Sequence, residues 1–541
     1  MTVAFITTLC SSAPPSDAAG TIRDGADHHM GSIRRPEAWF VKIVCTVFAR
    51  SSSLDRFVGY FSKHLTPSIV SEVVHRFTIV PALGFKVVEF TKDKLKMKHS
   101  SWTYNFLLRS LCESDLHGSA KLVYDWMKFD GQFPDSYLLG FLVSSYAQAG
   151  RFDISKELLA DSQCNYVGVN DSLYHHLFDI LIRQNKVGDA VVLFRELVMS
   201  RYCPKIHTVN LLMRGLCRAG VINEAFKLLG DLRSFGCLPN IITYNTLIHG
   251  LCQISEVCRA RSLMKEVWLK GELAPDVYSY TTIISGYCKL GETGEGVKLF
   301  DEMTRSGIRP NRCTFNALID GFVKSGKMDS ALAMYAKMSV EGCPPDVVTF
   351  TSLIYGYFGV GQVKRALEIW RKMNDRHVSA NIYTFSALVS GLCKMNRLHE
   401  ARNILRLMNQ SGIVPKPFVY NHVIDVYCKS GNVDEANRIV AEMEEKRCKP
   451  DKVTYTSLII GHCTKGRMLE AIGIFDRMLV VGCTPDEITV NDLTSRLLKA
   501  GMPSEAARIK KALWQNHTLG TSLKKKSYHQ STNADMPIAV Y

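Results

Sequence analysis

The side chains in this 541-residue chain best suited to covalent or metal chemistry are its 17 cysteines. Such chemistry needs partners at ligand spacing, and the sequence has no Cys-x-x-Cys pair. Cys112, Cys217, Cys252, Cys288, Cys393, Cys428 and Cys463 instead recur at one position, in steps such as GLCRAG and GYCKLG. Cys237, Cys343, Cys448 and Cys483 share a second position. Cysteine repeated by register reads as a small apolar packing residue in a reducing compartment. Neither a glycine-rich phosphate loop nor a Gly-x-Ser-x-Gly turn occurs, so no catalytic or metal residues are assigned and no cofactor is implied. What remains is hydrogen-bonding chemistry. A polar residue closes the recurrent segments GIRPN, GCPPD, VSAN, GIVPK, CKPD and GCTPD, at Asn311, Asp346, Asn381, Lys416, Asp451 and Asp486. Asn and Asp at such a place cap the helix that follows.

The closing residues mark a period. Units run 101–135, 136–170, 171–205, 206–240, 241–276, 277–311, 312–346, 347–381, 382–416, 417–451 and 452–486; each has 35 residues except 241–276, which has one more. A period of this size belongs to a stacked helical array. Each unit carries two patterns of helical spacing, such as YTTIISGYCKL over 280–290 and GVKLFDEMTRSG after the turn at Gly291. Turn glycines recur at Gly150, Gly220, Gly326, Gly361, Gly431, Gly466 and Gly501. Alanines such as Ala331 and Ala366, and methionines such as Met303 and Met338, occupy expected core positions of the second helix. The expected fold class is all-α, an α-solenoid superhelix of stacked two-helix 35-residue repeats whose first helices line one concave surface. Residues 66–100 are expected to cap one end, with Thr66 as N-cap and Pro67 at the first helical position. Residues 487–515 form an incomplete unit, and 516–541 a polar tail too short to fold.

Units such as KVTYTSLIIGHCTKGRMLEAIGIFDRMLVVGCTPD resemble the pentatricopeptide repeat, with its TYN..I..LCK.G....A...F..M...G..PD pattern. The resemblance runs from 101 to about 515 and is strongest over 206–486. A tetratricopeptide array would show a 34-residue period and a W..LG..Y opening, and shows neither here. The resemblance implies a P-class protein of pure repeats that binds single-stranded RNA, one base per repeat, in a plant mitochondrion or chloroplast. It assigns base choice to the fifth and last residues of each unit: Asn105 with Asp135, Asn210 with Asn240, Asn245 with Asp276, Thr281 with Asn311, Asn316 with Asp346, Thr351 with Asn381, Asn421 with Asp451, and Thr456 with Asp486. By the family's code these spell 5′-U-N-N-Y-U-A-U-A-N-U-G-3′. Gly140 with Asn170, His175 with Lys205, and Ser386 with Lys416 depart from it. Capping alone accounts for Asn and Asp at unit ends, but a cap is expected to be indifferent to a residue on the inner face.

The second residue of each unit, Ile242, Tyr278, Val348, Tyr383, Phe418 and Val453, is suited to sandwich a base between neighbouring repeats. Arg218, Lys289, Lys324, Lys394 and Lys429 end first helices, where they complement the helix dipole and track a phosphate backbone. A net charge of +15 agrees with a polyanionic partner. No stretch is apolar enough for a membrane span, and a monomer is expected, with any catalysis supplied by protein partners. The other reading is a protein-binding helical scaffold in which the same polar residues only cap. Residues 1–29 hold Asp17, Asp24 and Asp27 against Arg23, whereas MGSIRRPEAWFVKIVCTVFARSSSLDRFVGYFSKHL from Met30 has the basic, serine-bearing character of an organellar presequence. Residues 1–65 are therefore expected to be a leader, for the mitochondrion first and the chloroplast second, with initiation at Met1 or Met30.

Overall fold

The computed structural model describes residues 35–50, 63–164, 171–199, 205–232, 236–269, 271 and 273–511. Most of the expected leader, Asn170 and the tail from 512 lie outside them. The described residues are α-helical, in two compact units divided between Leu251 and Cys252.

Each unit is built from helix pairs. In the second, Val277–Lys289 pairs with Thr293–Arg305, Arg312–Lys324 with Met328–Val340, and Val347–Gly359 with Val363–Asp375. The first unit repeats the plan with Ser101–Glu113 and His117–Phe129, then Ser136–Gln148 and Phe152–Cys164. Each first helix starts directly after the closing polar residue, three positions ahead of the YTTIISGYCKL pattern in the case of Val277–Lys289. The turn between the paired helices needs a left-handed residue. Gly291 supplies it at φ 81°, and Asn396 does so at φ 56°, as short polar side chains tolerate. Ala331, Ala366, Met303 and Met338 are fully buried.

Successive first helices of a unit pack side by side, and a glycine inside the helix sets their distance. A Cβ on Gly321 would stand 2.6 Å from Cys288 Cβ, and one on Gly461 2.7 Å from Cys428 Cβ. The recurrent cysteine therefore fills the space that the next repeat's glycine leaves. Burial pushes the Cys288 and Cys428 thiols up to about 12, so they stay protonated and non-nucleophilic at neutral pH. Among the described residues no cluster of three or more His, Cys, Asp or Glu is placed to hold a metal ion, and no helix is long and apolar enough to cross a membrane.

At the start of the first unit, Thr66 accepts the Ile69 amide at 3.4 Å and Pro67 opens the helix Pro67–Arg76. The hairpin it forms with Pro81–Leu95 is locked to the first repeat by a buried charge. Lys92 Nζ lies 2.5 Å from Asp130 Oδ1, and the Tyr104 hydroxyl donates to Asp130 Oδ2 at 2.7 Å. Inside the stretch expected as leader, Arg35–Arg50 is a helix that buries Val41, Val44, Cys45 and Phe48, with Phe48 edge-on to Phe90 at 5.7 Å.

The glycine spacing can be tested directly. Gly321→Ala should lower the stability of the array by about 1–3 kcal/mol, the cost of overpacking a tight contact. Gly473→Ala, in a helix where nothing lies within 4 Å of the new methyl group, should raise it by roughly 0.5–1 kcal/mol. Urea melts of the two variants check the opposite signs, and equal shifts would contradict the packing argument.

Candidate functional site

The closing residues do cap. Asp276, Asn311, Asp346, Asn381, Asp451 and Asp486 have extended backbones, and their side chains accept the amide three residues on, at 2.8 to 3.0 Å. The hydroxyl of the third helical residue, Ser279, Thr314, Thr349, Thr384, Thr454 or Thr489, lies within hydrogen-bond distance of the cap side chain, at 2.5 Å in Thr489 and 3.1 Å in Thr314. Asp486 shows the electrostatic result. The hydroxyl and amide of Thr489, with Lys452 Nζ at 3.1 Å, hold its carboxyl down to about 2.

The expectation that a cap is indifferent to the inner face fails. Asn316 Nδ2 donates to Asp346 Oδ1 at 3.1 Å, Asn421 to Asp451 at 3.0 Å, and Asn210 to Asn240 at 3.4 Å. The third-position hydroxyl completes each triangle, with Thr349 donating to Asn316 Oδ1 at 2.6 Å, Thr454 to Asn421 at 2.7 Å, and Thr243 to Asn210 at 2.7 Å. Where the fifth residue is Thr, two hydroxyls meet: Thr281 with Thr314 at 2.7 Å, Thr351 with Thr384 at 2.7 Å, and Thr456 with Thr489 at 2.9 Å. The fifth and last residues of a unit are thus in one hydrogen-bond network, because the next helix starts beside the previous one.

Two pairs lack parts of the network. Asp135 caps at 2.7 Å, but the third residue is Leu138, and Asn105 Oδ1 is buried with no partner. Lys416 gives no side-chain cap; Pro417 opens that helix instead, and Val419 sits where a hydroxyl would be, opposite Ser386. In the unit 171–205, Lys205 reaches Asp171 at 2.8 Å, and His175 Nδ1 is 3.5 Å from the Thr208 hydroxyl. The His175 ring also stacks on His207, with centroids 4.8 Å apart. Asn245 is buried, and Gly140 has only Leu173 beside it.

The second-position residues Ile242, Tyr278, Val348, Tyr383 and Val453 are exposed, Tyr278 by 42%. Tyr383 and Phe418 stack directly, with centroids 6.0 Å apart and planes at 20°. A base between two rings needs roughly twice the ~3.4 Å stacking distance. These two rings therefore have to part, or offer an outer face. Trp102, Tyr137 and Ile488 stand exposed at the same register and were not among the expected residues. Of the helix-ending cations, Arg218 and Lys289 are exposed; Lys324 pairs with Asp320 and Lys429 with Asp425, each at 2.7 Å, and Lys394 lies over the Tyr355 ring at 5.9 Å. Such surface pairs are worth ~0–1 kcal/mol and yield readily to a phosphate. Sequence reasoning missed the third-position hydroxyls. Their signal was the Ser or Thr three residues after each cap, in DVYS, NRCT, DVVT, NIYT, DKVT and DEIT.

Comparison with known proteins identifies the repeat. The model described as the PPR repeat family matches residues 204–253, 275–324, 311–359, 345–394, 415–464 and 453–499, and a second, the PPR repeat, matches 242–271 and 383–413. A pentatricopeptide repeat-containing protein of Arabidopsis thaliana is 48% identical over 190 residues, which is 34% of this chain and 34% of that protein. Another from Arabidopsis is 26% identical over 185 residues, 34% of this chain and 23% of the relative. The chain thus spans about a third or less of the length of these curated relatives. Among solved structures, the maize pentatricopeptide repeat protein PPR10 is similar at 21% identity and a TM-score of 0.38, covering 90% of this chain and 80% of that one. PPR10 in complex with an 18-nt psaJ RNA element aligns at 21% identity and a TM-score of 0.46, covering 88% and 78%. With two helices per period, a capping side chain at most unit ends and family matches through 204–499, the chain belongs to the pentatricopeptide repeat family.

Proposed function

We propose that this protein is a P-class pentatricopeptide repeat protein that binds single-stranded RNA by sequence and acts by occupancy. The repeats would run as delimited above, from 101 to 486, with 66–100 and 487–515 closing the ends. The observation that carries the reading is the recurrence, at Asn210, Thr281, Asn316, Thr351, Asn421 and Thr456, of a fifth-position Asn or Thr hydrogen-bonded to the start of the next first helix. Such a row of half-buried donors and acceptors at a regular interval suits a polymer with one recognition edge per monomer, and RNA single strands offer unstacked base edges. Exposed Tyr278, Tyr383 and Ile242 beside those pairs give apolar surface for base faces. Arg218, Lys289, Lys324, Lys394 and Lys429 would meet phosphates.

An occupied RNA segment is shielded from exonucleases and held out of hairpins, which suits roles in transcript stabilisation, processing, splicing or translation. Catalysis, where needed, would come from partner proteins. The basic segment from Met30 supports an organellar destination, the mitochondrion before the chloroplast. Fusing residues 30–65 to a fluorescent reporter should send it to mitochondria, and a cytosolic reporter would count against that.

Binding is measured with the full chain against 5′-U-N-N-Y-U-A-U-A-N-U-G-3′ and a scrambled RNA over a salt series. The matched RNA should bind more tightly, and affinity should fall with a log-log slope of about −0.7 per phosphate neutralised. Equal affinity for both RNAs would leave the protein-scaffold reading standing. Changing Thr281→Asn and Asn311→Asp together recreates the triangle seen at Asn316, Asp346 and Thr349, with Thr314 as the third member. Preference at the sixth base should move from A to U, while an unchanged preference removes those two residues from readout.

A further inference from the structure

Six readout pairs are joined through a third side chain, the hydroxyl at the third position of the next first helix. We propose that this hydroxyl is a positioning group that determines specificity: its one proton sets which member of the pair offers the base a donor and which an acceptor. The inference rests on the one-base-per-repeat reading above.

The polarity is set by where the Thr314 proton goes. Asn311 Oδ1 accepts the Thr314 backbone amide at 3.0 Å, so that atom is the carbonyl oxygen and also takes the Thr314 hydroxyl proton at 3.1 Å. Either hydroxyl can donate in the 2.7 Å contact between Thr281 and Thr314; with the Thr314 proton on Asn311 Oδ1, Thr281 is the donor. Thr281 is left with lone pairs alone, and Asn311 Nδ2 with donors. One acceptor and one donor complement the N6 amine and N1 of adenine. Thr351, Thr384 and Asn381 repeat the arrangement.

At Thr456 the closing residue is Asp486, and Thr489 donates to it at 2.5 Å. Thr456, donating to Thr489 at 2.9 Å, presents an acceptor beside a carboxylate. Two acceptors complement N1–H and the N2 amine of guanine. At Asn421 the oxygen is held by Thr454 and one amide hydrogen by Asp451, which leaves one hydrogen as donor and the second carboxylate oxygen as acceptor. That pattern fits a keto oxygen and N3–H of uracil. At Asn210 and Asn240, with Thr243 on the Asn210 oxygen, both free groups are amide donors, the complement of N3 and O2 of cytosine. One relay thus yields four signatures from two residue types at each end.

The chain contains its own contrast. Asn105 with Asp135 has the same composition as Asn316 with Asp346, but Leu138 brings no hydroxyl and Asn105 Oδ1 is left without a partner. No hydroxyl holds that amide oxygen.

The test uses the full chain and RNAs varied singly at the first, sixth, seventh and eighth bases. Thr314→Val should reduce discrimination of A over G at the sixth base from roughly tenfold to within about twofold. Selectivity at the eighth base, served by Thr384, should be unchanged, and Thr314→Ser should behave as wild type. A purely structural role would weaken all positions together. Retained A selectivity at the sixth base in folded Thr314→Val overturns the relay. Should that variant not fold, the wild-type protein decides: preference for U should be several-fold weaker at the first base than at the seventh. Equal preference at the two overturns the relay, whereas no base preference at any position overturns the reading of function on which it rests.

Discussion

The approach of consecutive first helices is the constraint on which the rest of the structure depends. With no Cβ on Gly321 or Gly461, the next helix settles against Cys288 or Cys428 at a distance no other residue permits. At that separation the N-terminus of one helix stands beside the fifth residue of the helix before it. The Thr281 and Thr314 hydroxyls come within 2.7 Å, 33 positions apart. Were the helices held wider by a methyl group, that bond would be lost, and with it the connection between a unit's fifth and last residues. The small core residue and the polar edge are thus two ends of one geometric requirement.

In the proposed readout, capping and recognition share atoms. Asp346 Oδ1 accepts two backbone amides and the Asn316 amide, so it is fully engaged inside the protein. Recognition falls to what these bonds leave over: the second carboxylate oxygen and the second amide hydrogen. Each exchange between Asn and Asp conserves the cap, since both present the same Oδ1 to the helix, and alters only the outward group. A side chain can therefore vary along the array at little cost to folding.

Much of this was legible in the sequence. The period, the paired helices, the turn glycines and the caps follow from local chemistry that a residue carries wherever it stands. What sequence reasoning missed depends on contacts across the repeat interface. The recurrent cysteine was recognised as packing, but the glycine it meets lies 33 residues away on another helix. The role of the Thr349 hydroxyl is not legible from its type, because its acceptor, Asn316, belongs to the preceding unit. Likewise, the direct stacking of Tyr383 on Phe418 and the capture of Lys324 by Asp320 depend on side-chain directions that residue type leaves open.

The irregular units bear on why the polar network recurs at all. The helix Pro417–Lys429 forms without a side-chain cap and without a hydroxyl at its third position, and Ile206–Arg218 forms after Lys205 with no side-chain cap. Pro417 supplies the helical φ in the first case, and buried Val419, Tyr420 and Val423 anchor the helix as firmly as its neighbours. A cap is worth roughly 0.5–2 kcal/mol, which buried apolar faces of this size can replace. Folding thus tolerates the loss of the network, one repeat at a time. The bonds from the fifth residue into that network, at Thr281, Asn316, Thr351, Asn421 and Thr456, lie outside the capping box itself, and the proposed recognition of a base edge gives them a use.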